Sequence, residues 1–255
     1  MALVSMAHAP CTLHPTPYTL DKNPVEEHLY VRISGVAMEF EDSNLVGCFI
    51  SIPKCASKTV LEMFEMGKNR GNHWDEKTPQ FIIYENHKIL KRSEEKFNLQ
   101  DKYVFTFVRH PYERIRSWFT YCKHVERIPM YQKHTLNSWV RDGCPTHWKN
   151  DDMNKVVWDD HHFTPLLQCN FIEGKSKVSY IGRIESFEKD SRAIMSDLNH
   201  IFESHGIQKR LEYRHVHQNR SFLKKADEKL SKESKDIIYR LFKKDFDSFQ
   251  YSKDT

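Results

Sequence analysis

Apolar positions in this chain fall into short unbroken runs separated by amphipathic stretches. VGCFISI (46–52) is almost wholly apolar and stops at Pro53, the pattern of a strand buried on both faces. Behind it, PKCASKT leads into VLEMFEM, where Val60, Leu61 and Phe64 carry helical spacing. FIIY (81–84) predicts a second strand and HKILKRSEEKF (87–97) a helix. YVFTFV (103–108) is the clearest strand, and Pro111 suits the first turn of a helix. Ile115, Trp118, Phe119 and Cys122 then repeat at i, i+3, i+4 and i+7, one apolar stripe. KVSYIGRI (177–184) predicts another strand, followed by a helix with Ile194, Met195, Leu198, Ile201 and Phe202 on one side. A last helix gathers Ile237, Ile238, Leu241, Phe242, Phe246 and Phe249 on one face. The alternation predicts an α/β fold with a mostly parallel central sheet flanked by helices. LYVRISGVAMEF (29–40) alternates like a strand or hairpin arm, whereas residues 1–28 hold four prolines and no periodicity. The expected organisation is an N-terminal arm (1–28) and one domain (29–255).

Composition narrows the class. With 255 residues, 39% hydrophobic and 29% charged, the chain is neither disordered nor fibrous. It holds no run of eighteen apolar residues, so no membrane span is expected, and its first twenty residues lack a secretory pattern. Six cysteines without a CxxC pair fit neither a disulfide scaffold nor a zinc ribbon, so the expectation is a soluble, reduced, cytoplasmic protein. A net charge of +4 asks for no nucleic acid and suits a small anion.

Two strand ends carry the chemistry. In open parallel sheets ligands sit beyond the carboxyl ends of the strands. After the first strand come Ile52-Pro53-Lys54-Cys55-Ala56-Ser57-Lys58-Thr59, where small residues let backbone N–H groups turn toward an anion at a helix start. Ser57-Lys58-Thr59 echoes the end of a Walker A loop, but its glycines are absent. An ordinary helix start with surface lysines is the bland alternative. After the YVFTFV strand come Arg109-His110-Pro111-Tyr112-Glu113-Arg114-Ile115-Arg116-Ser117. An arginine at a buried strand tip needs an anion or a carboxylate, and Glu113 is the internal candidate. Ser117 offers a hydroxyl to the same anion. Two phosphate-sized sites at neighbouring strand ends suit a nucleotide phosphorylated at two places.

I-P-K-x-A-S-K-T after one strand and F-V-R-H-P-x-E-R-x-x-S-x-F after a later one resemble the sulfotransferases that use 3′-phosphoadenosine 5′-phosphosulfate (PAPS). The resemblance is to their carbohydrate branch, which includes heparan sulfate 2-O-sulfotransferase, and runs over roughly residues 46–250. It implies a P-loop-like sulfotransferase fold, PAPS as donor, the 3′,5′-bisphosphate PAP as product and no metal. By position, Lys54, Cys55, Ala56, Ser57, Lys58 and Thr59 would hold the 5′ end. Arg109 and Ser117 would hold the 3′-phosphate, with Asn219, Arg220 and Ser221 in a closing loop. Tyr180 to Phe187 matches the family's late strand, where Gly182 and Glu185 precede a long helix.

Sulfuryl transfer is an in-line displacement that needs positioning, charge neutralisation and a base. Lys54 is the expected stabiliser of the transferring and leaving groups. The family's base histidine falls at His87, 22 residues before Arg109, with Glu85 beside it and His73 as runner-up. Glu85, His73, Trp74 and His162 are the expected acceptor-side residues. Asp159-Asp160-His161-His162 invites a metal reading, but adjacent histidines point apart, and His162, Pro165 and Cys169 match a family segment instead. Members of this branch carry a Golgi membrane anchor that this sequence lacks, which leaves a soluble catalytic domain of a Golgi enzyme as the alternative to a cytoplasmic one. The acceptor is a small molecule or a carbohydrate, and the oligomeric state is open. A P-loop-like nucleotide or small-molecule kinase is the competing enzyme class, and a non-catalytic RNA-binding module the competing binding class.

Overall fold

The computed structural model describes residues 45–64, 81–86, 89–145, 167–215 and 228–254. Strands β1 (Gly47–Ser51), β2 (Ile82–Asn86), β3 (Tyr103–Val108) and β4 (Val178–Arg183) form one sheet in the order β2-β1-β3-β4, every pair parallel. Each apolar run of the sequence therefore becomes a strand. The alternation of side chains puts Phe49, Phe105 and Phe107 on one face and Cys48, Ile50, Val104 and Val108 on the other. Both faces are covered, which is why β1 and the body of β3 carry no exposed position.

The first face packs against α1 (Ser57–Met63) and α7 (Phe187–Ser204), through Val60, Phe64, Ile194, Leu198 and Phe202. Phe49 stacks on Phe105 with centroids 5.2 Å apart, and Phe64 meets the same ring at 5.3 Å. The second face packs against Leu90 of α2 (Leu90–Ser93), Phe171 of α6 (Gln168–Phe171) and Phe249 near the chain end. A third cluster is helical. It joins α3 (Pro111–Thr120), α4 (Pro129–Gln132), α5 (Leu136–Arg141), α8 (Lys232–Leu241) and α9 (Lys243–Ser248) through Trp118, Tyr131, Trp139, Ile238 and Phe246.

Three departures from the sequence pattern have local causes. The helix expected over 87–97 is one turn, Leu90–Ser93, followed by turns. The last helix breaks at Phe242, whose φ of −112° and ψ of 22° leave the helical range, and Leu241, the final residue before the break, is 48% exposed. Pro111 sits at the start of α3 as expected, but α3 continues as a π-helical turn, Tyr121–Val125, with Glu126 N–H bonded to the Tyr121 carbonyl. The strand pattern at 29–40 and the division at residue 28 lie outside the described residues. Among the described residues no helix is long and apolar enough to cross a membrane.

Among the described strand glycines, Gly182 leaves the least room for a side chain. A Cβ there would lie 2.5 Å from Cε1 and 2.7 Å from Cδ1 of Phe107, a buried ring packed 4.9 Å from Phe187. The ring has nowhere to retreat. Gly182→Ala is expected to cost about 2–3 kcal/mol and to lower the melting temperature by roughly 4–12 °C. A thermal scan showing a change within about 1 °C would contradict this packing.

Candidate active site

The chain order fixes where a ligand can enter. β2 lies on one side of β1, and the connection from β2 to β3 crosses to the other side. The connection after β1 runs to one side, toward β2, and the connection after β3 to the other, toward β4, so a crevice opens beyond the carboxyl ends of β1 and β3. Ile50 pairs with Thr106, so the loops after Ser51 and Val108 emerge side by side. Those loops are the two cationic segments of the sequence, brought to one rim as expected.

The first loop is strained in a way that suits an anion. Lys54 and Ala56 both have positive φ, 67° and 60°, although neither is glycine. Left-handed conformation costs a residue with a Cβ roughly 1–2 kcal/mol, and such strain gathers at functional sites. Alternating handedness curls successive N–H groups into a concave nest. Ala56 is the N-cap of α1 and provides no capping side chain, and the first turn holds no acidic residue. The amides at that helix start are left for a ligand, and the helix dipole adds to their pull. Ser57 instead turns its hydroxyl inward, donating to the Ile52 carbonyl at 3.4 Å and accepting from Ser51 Oγ at 2.5 Å. Cys55 faces the core, so its share in this loop is its backbone; burial pushes its thiol up to about 12. Thr59 is half-buried and Lys58 exposed.

Lys54 carries the charge of this loop. Its Nζ lies 3.6 Å from the centroid of the Tyr121 ring, a cation–π contact that the π-helical turn makes possible. Burial is the main cause that lowers its pKa to about 8, with the positive charges of Arg109 and Lys58 acting in the same direction and the Cys122 thiol opposing them. Arg109 is thus close enough for its charge to reach the Lys54 ammonium.

Arg109 leaves the tip of β3 with its side chain 18% exposed. Glu113 does not neutralise it: the gap is 3.8 Å, while Arg116 holds the same carboxylate oxygen at 2.6 Å. Arg109 therefore keeps its hydrogen-bonding edge for another anion. Ser117 lies one turn beyond Glu113 on α3 and is half-buried.

The supporting residues were not legible in the sequence. Gln168 is fully buried and touches both loops. Its Oε1 accepts from Arg109 N at 2.9 Å and from Cys55 Sγ at 3.3 Å, and its Nε2 donates to the Arg109 carbonyl at 2.9 Å. Arg114, also buried, donates from Nε to the Pro53 carbonyl at 3.1 Å. Glu185, in the 3₁₀ turn Ile184–Ser186, accepts from His110 N at 2.7 Å and from the Tyr251 hydroxyl at 3.0 Å. The chain end also supports the second loop, since the carbonyls of Ser252 and Lys253 meet His110 Nε2 at 3.0 Å and the Tyr112 hydroxyl at 3.1 Å. Trp118 is core, packed beneath α3.

Among the expected site residues, Lys54, Cys55, Ala56, Ser57, Lys58, Thr59, Arg109 and Ser117 are thus found on the segments around this crevice. Glu85 lies on β2, level with Ile50 in the pairing, and Asn86 is level with Ser51. His73, Trp74, His87, His162, Asn219, Arg220 and Ser221 lie outside the described residues.

A parallel α/β sheet with a strained, uncapped helix start beside a loosely paired strand-end arginine is suited to a doubly anionic ligand at its switch point. The family follows from the whole sequence. A model described as "Sulfotransferase family" matches residues 40–252, and the chain belongs to that family. It is an enzyme of the PAPS-dependent sulfotransferases, with the expected α/β fold. No curated protein and no solved structure matches it.

Proposed function

We propose that the enzyme moves the sulfuryl group of PAPS onto a hydroxyl or amine of a small-molecule or carbohydrate acceptor and releases PAP. The observation that carries this reading is the pairing of β1 with β3, which places the Lys54 and Arg109 loops side by side. The residues fit the coenzyme: an open nest and helix start for the 5′ end, and, for the 3′-phosphate, an arginine whose pairing with Glu113 is loose at 3.8 Å.

PAPS supplies an activated sulfuryl group and a stable phosphate leaving group. The amides of Lys54 and of residues 56–59 would hold the 5′ end, the Cys55 amide being donated to the Ile52 carbonyl at 3.2 Å, and the Lys54 ammonium would offset negative charge on the leaving group. Arg109 and Ser117 bind the 3′-phosphate, with Asn219, Arg220 and Ser221 assigned to the closing loop. His87 takes the acceptor proton. β2 brings the chain to the rim level with Ser51 at Asn86, one residue before His87 in sequence. Glu85 orients that imidazole, while His73, Trp74 and His162 line the acceptor side.

Thermal-shift titration tests the coenzyme: PAP is expected to stabilise the protein strongly and ATP weakly. His87→Ala is expected to reduce sulfuryl transfer by about 10²–10⁴-fold while leaving PAP affinity within twofold. Unchanged turnover would remove His87 as the base and pass the role to His73. Stabilisation by ATP with Mg²⁺ in preference to PAP would overturn the reading in favour of a kinase.

A further inference from the structure

We propose that Gln168 is a positioning residue whose buried amide sets the distance between the 5′ loop and the 3′ loop, and with it the preference for a nucleotide phosphorylated at both ends. The inference rests on the coenzyme reading above.

The amide uses every hydrogen-bonding valence it has. Oε1 accepts twice, from Arg109 N at 2.9 Å and Cys55 Sγ at 3.3 Å; Nε2 donates to the Arg109 carbonyl at 2.9 Å and to Asp245 Oδ2 at 3.5 Å. One side chain thus satisfies both backbone groups of Arg109, as a neighbouring strand would. It also fixes Cys55, which lies between the two strained residues of the first loop. The thiol, protonated because burial raises its pKa, is the donor that this contact needs.

The anchor behind Gln168 is rigid. Asp245 is fully buried in α9 and accepts from Gln168 N at 2.9 Å and Cys169 N at 3.0 Å, so it closes the start of α6. The path runs from α9 through Asp245 and Gln168 to both loops. The side chain acts on the coenzyme only through Arg109 and Cys55, and its effect is on their spacing. Buried amides and carbonyls left without partners seek new ones, and a shift of about 1 Å in an anion-binding loop is enough to spoil its geometry.

The test compares dissociation constants for PAP and 5′-AMP, because AMP engages the first loop and lacks the 3′-phosphate. Gln168→Met keeps the volume and removes all four bonds. It is expected to weaken PAP at least tenfold and AMP less than threefold. Gln168→Glu is expected to resemble it at pH 8 and to regain PAP preference, relative to wild type, toward pH 6, because a protonated carboxyl can donate to the Arg109 carbonyl as the amide does. A merely structural residue would not give that selective, pH-reversible loss. Equal weakening of both nucleotides, or an unchanged ratio, would overturn the proposal. If Gln168→Met does not fold, Cys55→Ala cuts the first-loop side alone and is expected to reduce the ratio at least threefold; no reduction overturns the proposal. A wild-type protein that does not prefer PAP would fault the coenzyme reading instead. Amide exchange at Arg109 then decides the clamp, with faster exchange in Gln168→Glu at pH 8 supporting it and wild-type protection overturning it.

Discussion

Replacing Lys54 with methionine is expected to slow sulfuryl transfer by about 10²–10³-fold while making the nucleotide-free protein more heat-stable at pH 7. The two effects have one cause. In the folded protein burial lowers the Lys54 pKa to about 8 from 10.5, and Arg109 and Lys58 add to the shift. Below pH 8 the folded protein therefore carries a poorly solvated ammonium that the unfolded chain would hydrate freely. Between pH 8 and 10.5 the unfolded chain binds more protons than the folded one, so wild-type stability rises with pH across that window. The stability gained in Lys54→Met should accordingly be full below pH 8 and gone above about pH 10.5. Melting temperatures of both proteins at pH 7 and pH 10.5 check this, and an equal difference at both pH values would refute it. Activity is expected to move the other way because, in the proposed mechanism, the same charge stabilises the transferring group. Loss of one preorganised charge or donor costs about 3–4 kcal/mol of transition-state stabilisation. A bound 5′ dianion also restores the lysine's proton. Nucleotide binding by the wild type is thus expected to take up a proton near pH 8, where the nucleotide phosphates are already dianions, and calorimetry in buffers of different ionisation enthalpy reads that uptake directly.

Arg109→Ala is expected to weaken PAP by about 10²–10⁴-fold and to leave 5′-AMP within twofold. Arginine meets phosphate with two parallel charge-assisted hydrogen bonds, each contributing about 1.5–3 kcal/mol. The full value is available here because Glu113 stands 3.8 Å away and is held by Arg116 at 2.6 Å. Had Glu113 been the partner of Arg109, removing the arginine would have stranded a carboxylate and lowered stability instead. The melting temperature of nucleotide-free Arg109→Ala should therefore match wild type within about 2 °C, since removal of an uncommitted surface-edge charge is nearly neutral. Lysine at this position should recover only part of the affinity, because it lacks the planar fork. Competition titrations with PAP and 5′-AMP check the result, and parallel losses for both nucleotides would show that Arg109 serves the fold rather than the 3′-phosphate.

What could be read from the chain alone was whatever a few consecutive residues decide. VGCFISI and YVFTFV are apolar at nearly every position, and only a strand covered on both faces accepts that, so β1 and β3 were legible. Pro111 marked the start of α3 because its ring presets φ and its missing N–H is not needed there. The same locality misled at the other end, where helical spacing placed Leu241 on the apolar face of one continuous helix, whereas the helix breaks at Phe242 and Leu241 is exposed. The two loops, too, were recognisable by residue type and expected at neighbouring strand ends, but the strand order that makes them neighbours was not legible. It depends on β2 taking the outer position beside β1, which leaves β3 as the other neighbour.

Local pattern therefore settled the elements, the loops and the residue types suited to anions. Tertiary structure alone decided that Tyr121 lies beneath Lys54, that Arg116 rather than Arg109 takes Glu113, and that Gln168 spans loops 113 and 59 residues away in sequence. The physical reason is that periodicity and steric preference act between near neighbours in the chain, whereas these contacts exist only once crossovers and helix ends have fixed where distant segments meet.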